Sequence, residues 1–226
     1  MAKSIAKKET AHDASLSLYD DFLAHTSLDR MQKILARYEL MKLVSSVPGD
    51  IVECGVFKGS GIYTLAKMNK LLTPHTGRKI IGFDFFGGER GTRFREKKDQ
   101  EVLDLHDKKL AEKDAILENL SKLGINTVEL VAGDVAQTTK AYAQKHLGFR
   151  IAMLYLDVDN FEGTLAILQN FYPLVSPGGI VVFDEYGVRG HGESDAIHEY
   201  FKGTKISLKS LAIANTPPAY LIKQSF

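Results

Sequence analysis

The sequence predicts an α/β fold built on a mostly parallel sheet, and three observations carry that expectation. Short apolar runs alternate with stretches whose apolar residues recur at helical spacing. The first run, carrying Ile51 and Val52, passes into a turn containing Gly55, Gly59 and Gly61, and several later runs end in a carboxylate. Alternation of this kind makes a parallel sheet that binds its ligands outside the carboxyl ends of the strands.

The N-terminal residues 1–12 are polar and expected to fray, after which Leu16, Tyr19, Phe22 and Leu23, then Met31, Ile34, Leu35, Tyr38 and Met41, mark two helices. Pro48-Gly49 ends them and delivers the chain into the first strand. This divides the chain into a helical extension, 1–47, suited to covering the site or pairing subunits, and a catalytic-type domain, 48–226. A helix carrying Ile62, Leu65, Ala66 and Met68 follows the glycine turn, with Ser60 placed to cap it. The second strand, 79–84, ends in Asp84. The stretch 85–98 has glycines, aromatics and basic residues without a period, so it is expected to hang over the crevice as a loop. There Arg90, Arg93 or Arg95 can meet an anionic acceptor, or simply be solvated.

A helix over 105–123 leads to a third strand, 127–132, with Asp134 just beyond it. The fourth strand, 151–159, is nearly all apolar and therefore central, with Asp157 and Asp159 at its carboxyl end. A helix over 161–171 and the turn Ser176-Pro177-Gly178-Gly179 precede a fifth strand that ends in Asp184 and Glu185. The glycine-rich loop 186–193 holds His191, a helix covers 194–201, and segments 205–211 and 219–222 can close the sheet as a pair, for seven strands in all.

The glycine spacing differs from both the dinucleotide and the triphosphate-loop fingerprints. Glu53, at the end of the first strand, would repel a phosphate but can hold a cationic amino group. An amino-acid-bearing nucleoside, S-adenosylmethionine, fits both facts. Asp84 can then accept ribose hydroxyls, and Asp134 can accept the adenine amino group, cap the next helix, or do both.

Asp157, Asp159, Asp184 and Glu185 fall at the ends of two strands expected to be neighbours. Their mutual repulsion raises at least one pKa unless a cation neutralises them, and an all-oxygen set of this kind suits Mg²⁺. Helix capping, or pairing with Arg189 or a lysine, is the alternative. Asp157, Asp159 or His191 can take the proton of an attacking hydroxyl.

Composition bounds the rest. Lys plus Arg number 29 against 28 for Asp plus Glu, so no overall field selects nucleic acid or an anionic membrane. A single cysteine, Cys54, excludes an internal disulfide framework and suits a reducing compartment as a small core residue. No apolar run approaches the length of a membrane span, and a soluble cytoplasmic protein is expected.

The ordered set 49–56, Asp84, 156–159 with Thr164, 177–179 and 184–187 resembles the macrocin O-methyltransferase (TylF/MycF-like) family. That resemblance spans roughly 48–187. It implies a Rossmann-like class I methyltransferase that uses Mg²⁺ and methylates a hydroxyl of a sugar or related polyol. It also implies cofactor contacts from Glu53, Gly55, Ser60, Asp84 and Asp134, and metal ligands Asp157, Asp184 and Glu185. Phe85-Phe86-Gly87-Gly88 departs from the family's usual Ser-Phe-Glu-Gly type, and Glu185 stands where the family has an aspartate. The expected partner is a small-molecule acceptor, a sugar that can be phosphorylated or nucleotide-linked, with the chain a homodimer or larger. A catechol-type acceptor, or an NAD-type sugar-modifying enzyme on a similar sheet, is the competing reading.

Overall fold

The computed structural model describes residues 2–87, 97, 101 and 112–224, with side chains from residue 14 onward. Helices α1 (Ala2–His25) and α2 (Leu28–Leu43) lead into strand β1 (Asp50–Cys54). Then come α3 (Ser60–Leu72), β2 (Ile80–Asp84), α4 (Lys113–Lys122), β3 (Val128–Ala132) and α5 (Val135–Lys145). The chain continues through β4 (Ile151–Leu156), α6 (Phe161–Phe171), β5 (Val175–Phe183), α7 (Glu193–Tyr200), β6 (Leu208–Lys209) and β7 (Ala219–Ile222).

The seven strands lie in the order β3-β2-β1-β4-β5-β7-β6. Strands β1 to β5 pair in parallel, while β7 runs antiparallel to β5 and β6. The side-chain period of two splits each central strand between two cores. Val52, Phe83, Leu154 and Val181 face one, with α5, α6 and α7. Ile51, Ile80, Met153 and Val182 face the other, with α2, α3 and α4. Cys54 is fully buried, and burial pushes its thiol well above the ordinary range, as a small core residue requires.

Several boundaries differ from the sequence reading: β4 ends at Leu156, before the carboxylates, and β6 covers only Leu208–Lys209 of the expected 205–211. Helix α1 begins at Ala2, inside the polar stretch expected to fray. Ser60 does not cap α3; the N-cap is Gly59, at φ 86°, with no side-chain cap bond, and Ser60 is the first helical residue. The turn expected at 176–179 lies inside β5 instead. Gly178 N–H donates to Lys223 O and Lys223 N–H to Gly179 O, so an irregular segment still pairs with the chain's C-terminal end. The register against β4 accordingly jumps from Ile151↔Val175 to Met153↔Ile180. After Gly87 the expected basic loop falls largely outside the described residues, as does the first half of the helix expected over 105–123.

Helix α2 is part of the body of the domain. Ala36, Leu40 and Met41 are buried against it, as is Val44 just beyond the helix, and the same face carries Arg37 inward at 5% exposure. Helix α1 is different: from residue 14 to residue 24 every side chain is exposed, including Leu16, Leu18, Tyr19, Phe22 and Leu23.

Candidate active site

A cavity of about 410 Å³ opens at the carboxyl ends of β1, β2, β4 and β5. Its floor on one side is the turn after β1. Gly55 sits at φ 95°, where a β-carbon would come within 1.7 Å of the Asp157 carbonyl oxygen, so glycine alone lets the ends of β1 and β4 meet. The amides of Val56 and Phe57 both donate to Asp84 Oδ2 at 2.7 Å, and Phe85 N–H donates to Oδ1 at 2.6 Å. Asp84 therefore lies on the cavity, as expected for a cofactor residue, but its carboxylate first holds the glycine turn in shape.

Glu53 is buried beside this turn at 1% exposure. Its Oε1 accepts from Arg37 at 3.4 Å, whereas Oε2 and Arg37 Nε have no partner among the described residues. Burial pushes the Glu53 carboxyl up to about 7, against the pull of Arg37 and Lys33. Glu53 thus brings a buried oxygen without a partner among the described residues to a cavity above a glycine turn. Gly55 and Ser60 also line the cavity, as does Asp134, which caps α5 by accepting from Ala136 N–H at 2.9 Å.

The carboxylates at the ends of β4 and β5 line the same cavity. Asp157, Asp184 and Glu185 each present an oxygen within 4.8 Å of the others, and oxygens of Asp159 and Glu185 with a ring nitrogen of His191 form a second such group. Burial and the neighbouring Asp184 drive the Asp157 carboxyl well above its usual range. Burial, Asp159 and Asp184 push Glu185 up to about 7. Tyr155 donates its phenolic hydrogen to Asp184 Oδ1 from the floor. His191 Nδ1 is 3.3 Å from the Asp159 carbonyl oxygen, and its Nε2 is 4.0 Å from Glu185 Oε2. Asp159 adopts φ 60°, a costly backbone for a non-glycine residue, which marks it as a held position.

All of the sequence-predicted site residues thus meet around one cavity. Four further residues escaped the sequence reading. Lys33 on α2 reaches Asp184 Oδ2 at 2.7 Å and Asp157 Oδ2 at 3.5 Å. Burial disfavours its charge, yet the two aspartates outweigh that and raise its pKa. Arg37 follows one turn later, and Arg30 lines the cavity on the same side. The signal was present as basic residues at 30, 33 and 37, a helical repeat on an otherwise apolar face. Glu193, fully buried at the start of α7, accepts from Glu185 N–H at 2.9 Å and fixes the loop that bears it.

The strand order, the antiparallel β7 and the glycine turn facing a carboxylate wall define a class I methyltransferase. The macrocin-O-methyltransferase (TylF) family model matches residues 6–218, and the chain belongs to that family of S-adenosylmethionine-dependent O-methyltransferases. It is 31% identical over 188 residues to the 8-demethyl-8-(2,3-dimethoxy-alpha-L-rhamnosyl)-tetracenomycin-C 4'-O-methyltransferase of Streptomyces olivaceus, covering 79% of this chain and 68% of that one. It is 27% identical over 165 residues to the mycinamicin III 3''-O-methyltransferase of Micromonospora griseorubida, covering 70% of this chain and 62% of that one. Among solved structures, apo CalS11, described as a TDP-rhamnose 3'-O-methyltransferase of calicheamicin biosynthesis, superposes with a TM-score of 0.70 at 29% identity. The match covers 91% of this chain and 85% of that one.

Proposed function

We propose that this chain methylates a hydroxyl of a sugar or sugar-bearing small molecule, with a divalent ion, Mg²⁺, bound by Asp157, Asp184 and Glu185. The observation that carries the reading is the single cavity lined both by Glu53 and by the carboxylate cluster. Glu53 receives the cofactor's amino group, Asp134 and Asp84 contact its nucleoside, and Gly55 and Ser60 line its path. The donor set suits a hard cation, because it is all oxygen and the Asp157 and Glu185 carboxyls stay raised even with Lys33 beside the cluster. When bound, that ion would orient the acceptor and lower the pKa of its hydroxyl.

The chain's own residues supply the remaining chemistry. The Asp159 carbonyl accepts from His191 Nδ1–H, which leaves Nε2 as the basic nitrogen facing the cavity. S-adenosylmethionine, when bound, would supply the methyl group and leave as S-adenosylhomocysteine, while His191 Nε2 would take the hydroxyl proton. Asp157 and Asp159, the other candidate proton acceptors, then keep their roles as ligand and support. The exposed apolar residues of α1 favour a homodimer or larger assembly, and the composition favours the cytoplasm. Among the described residues, no helix is long and apolar enough to cross a membrane. Arg30 at the cavity supports a second form of the acceptor, a nucleotide-linked sugar like the one in the CalS11 description.

The test is calorimetric titration of S-adenosylmethionine with and without Mg²⁺, followed by S-adenosylhomocysteine release over a panel of free, nucleotide-linked and aglycone-linked sugars and catechols. Sugar-dependent release supports the reading. Turnover of catechols alone removes the sugar acceptor, and absence of cofactor binding removes the reading altogether.

A further inference from the structure

Helix α2 delivers a positive charge to the place where the carboxylates converge. Lys33 Nζ lies 2.7 Å from Asp184 Oδ2 and 3.5 Å from Asp157 Oδ2, with only 18% of the side chain exposed. The helix that carries it is anchored. Leu40 and Met41 are buried in the core two turns further on, and Arg37 is committed to Glu53. The ammonium therefore reaches the cluster on a flexible four-carbon stem from a fixed base.

A divalent ion of magnesium's size binds oxygens at roughly 2.0–2.1 Å and prefers octahedral geometry. Asp157 and Asp184 are oxygens such an ion would need, and both are already engaged by Lys33. Two cations sharing one carboxylate edge in a partly buried site repel strongly. We propose that Lys33 is a tethered competitor for the metal position: it neutralises Asp157 and Asp184 when no ion is bound and is displaced when one binds. The inference rests on the metal reading above. In that arrangement the chain tunes its own metal affinity, and the cluster never stands as an uncompensated set of negative charges.

The experiment is titration of Mn²⁺, a magnetic probe for the same ligand set, into the full chain followed by electron paramagnetic resonance. Lys33→Met is expected to bind Mn²⁺ about tenfold tighter than the unaltered chain or better, on the scale by which neighbours of metal ligands shift affinity. Asp184→Asn is expected to weaken binding in either background. Equal or weaker binding by Lys33→Met overturns the role of Lys33 while leaving the metal reading intact. Absence of Mn²⁺ binding in both chains overturns both. A measurement on the unaltered chain guards against a variant that does not fold. Reductive methylation mapped by mass spectrometry is expected to modify Lys33 several-fold faster once Mg²⁺ is added, as the freed ammonium enters solvent. Unchanged labelling of Lys33 in the presence of bound ion overturns the proposal.

Discussion

Glu53 and Gly61 are in intimate contact: a β-carbon at Gly61 would lie 1.8 Å from Glu53 Oε1. The first turn of α3 is thus pressed onto the carboxyl that ends β1. Gly61→Ala is expected to push that carboxyl aside, at a stability cost of about 1–3 kcal/mol, and to weaken cofactor binding about tenfold or more. Gly55→Ala is expected to cost more, because its β-carbon would meet the backbone of Asp157, which cannot rotate away, and φ 95° is itself strained for alanine. Urea denaturation with cofactor titration checks the pair. Equal stability losses at the two positions would contradict this ordering.

Asp84 is expected to act on the cofactor chiefly through the turn it holds. Asp84→Asn keeps the size but replaces one acceptor oxygen with a donor, against the three amides of Val56, Phe57 and Phe85. Hydrogen bonds to a charged group contribute about 1.5–3 kcal/mol each, so the variant is expected to lose at least one such increment in urea denaturation. Unchanged stability with weakened cofactor binding would show that Asp84 serves the ligand and not the turn.

The pH dependence of the unliganded chain follows from Glu53. Its ordinary value is 4.5, and burial raises it to about 7 in the folded chain. Between those values the folded state keeps a proton that the unfolded state releases, so this group's contribution makes stability fall as pH rises through that window. The slope is at most about 1.4 kcal/mol per pH unit. Glu53→Gln is expected to remove it, measured as the difference between the two chains in urea midpoints across the window. A bound cationic amino group favours the ionised carboxyl, so cofactor affinity is expected to rise over the same range. Superimposable pH profiles for the two chains would refute the assignment.

The fold was legible because its signals are local. Apolar runs such as 151–156 and 180–183 can only be buried strands, and the carboxylates directly after them had to gather at one sheet edge once those strands were adjacent. The cap of α3 was misread because Ser60 has a favoured capping side chain, while the observed device is the left-handed backbone of Gly59, which composition does not reveal. Lys33 and Arg37 were not singled out from the sequence, although basic residues at 30, 33 and 37 share one helical face. Their role depends on where α2 docks against β1 and β4, a long-range fact that no window of sequence contains. Glu193 was hidden in the same way, since it looks like an ordinary acid in the first turn of a helix.

Glu193 nevertheless decides how firmly Glu185 and His191 are held. Its carboxyl is fully buried, its Oε1 accepts the Glu185 N–H at 2.9 Å, and burial drives its pKa well above the usual carboxylate range. A glutamine is close in shape to a protonated glutamic acid and keeps the same acceptor oxygen. Glu193→Gln is therefore expected to change stability by less than about 1 kcal/mol and to retain most methyl transfer. Glu193→Ala strands the Glu185 amide and opens a cavity under the loop, with an expected loss of about 2–4 kcal/mol. Its turnover should fall while cofactor affinity stays near that of the unaltered chain, because Glu193 does not line the cavity and supports Glu185 and not Glu53. Steady-state kinetics beside calorimetric cofactor titration separates the two effects. Equal losses for glutamine and alanine would mean that the charge of Glu193, and not its acceptor oxygen, is what the loop requires.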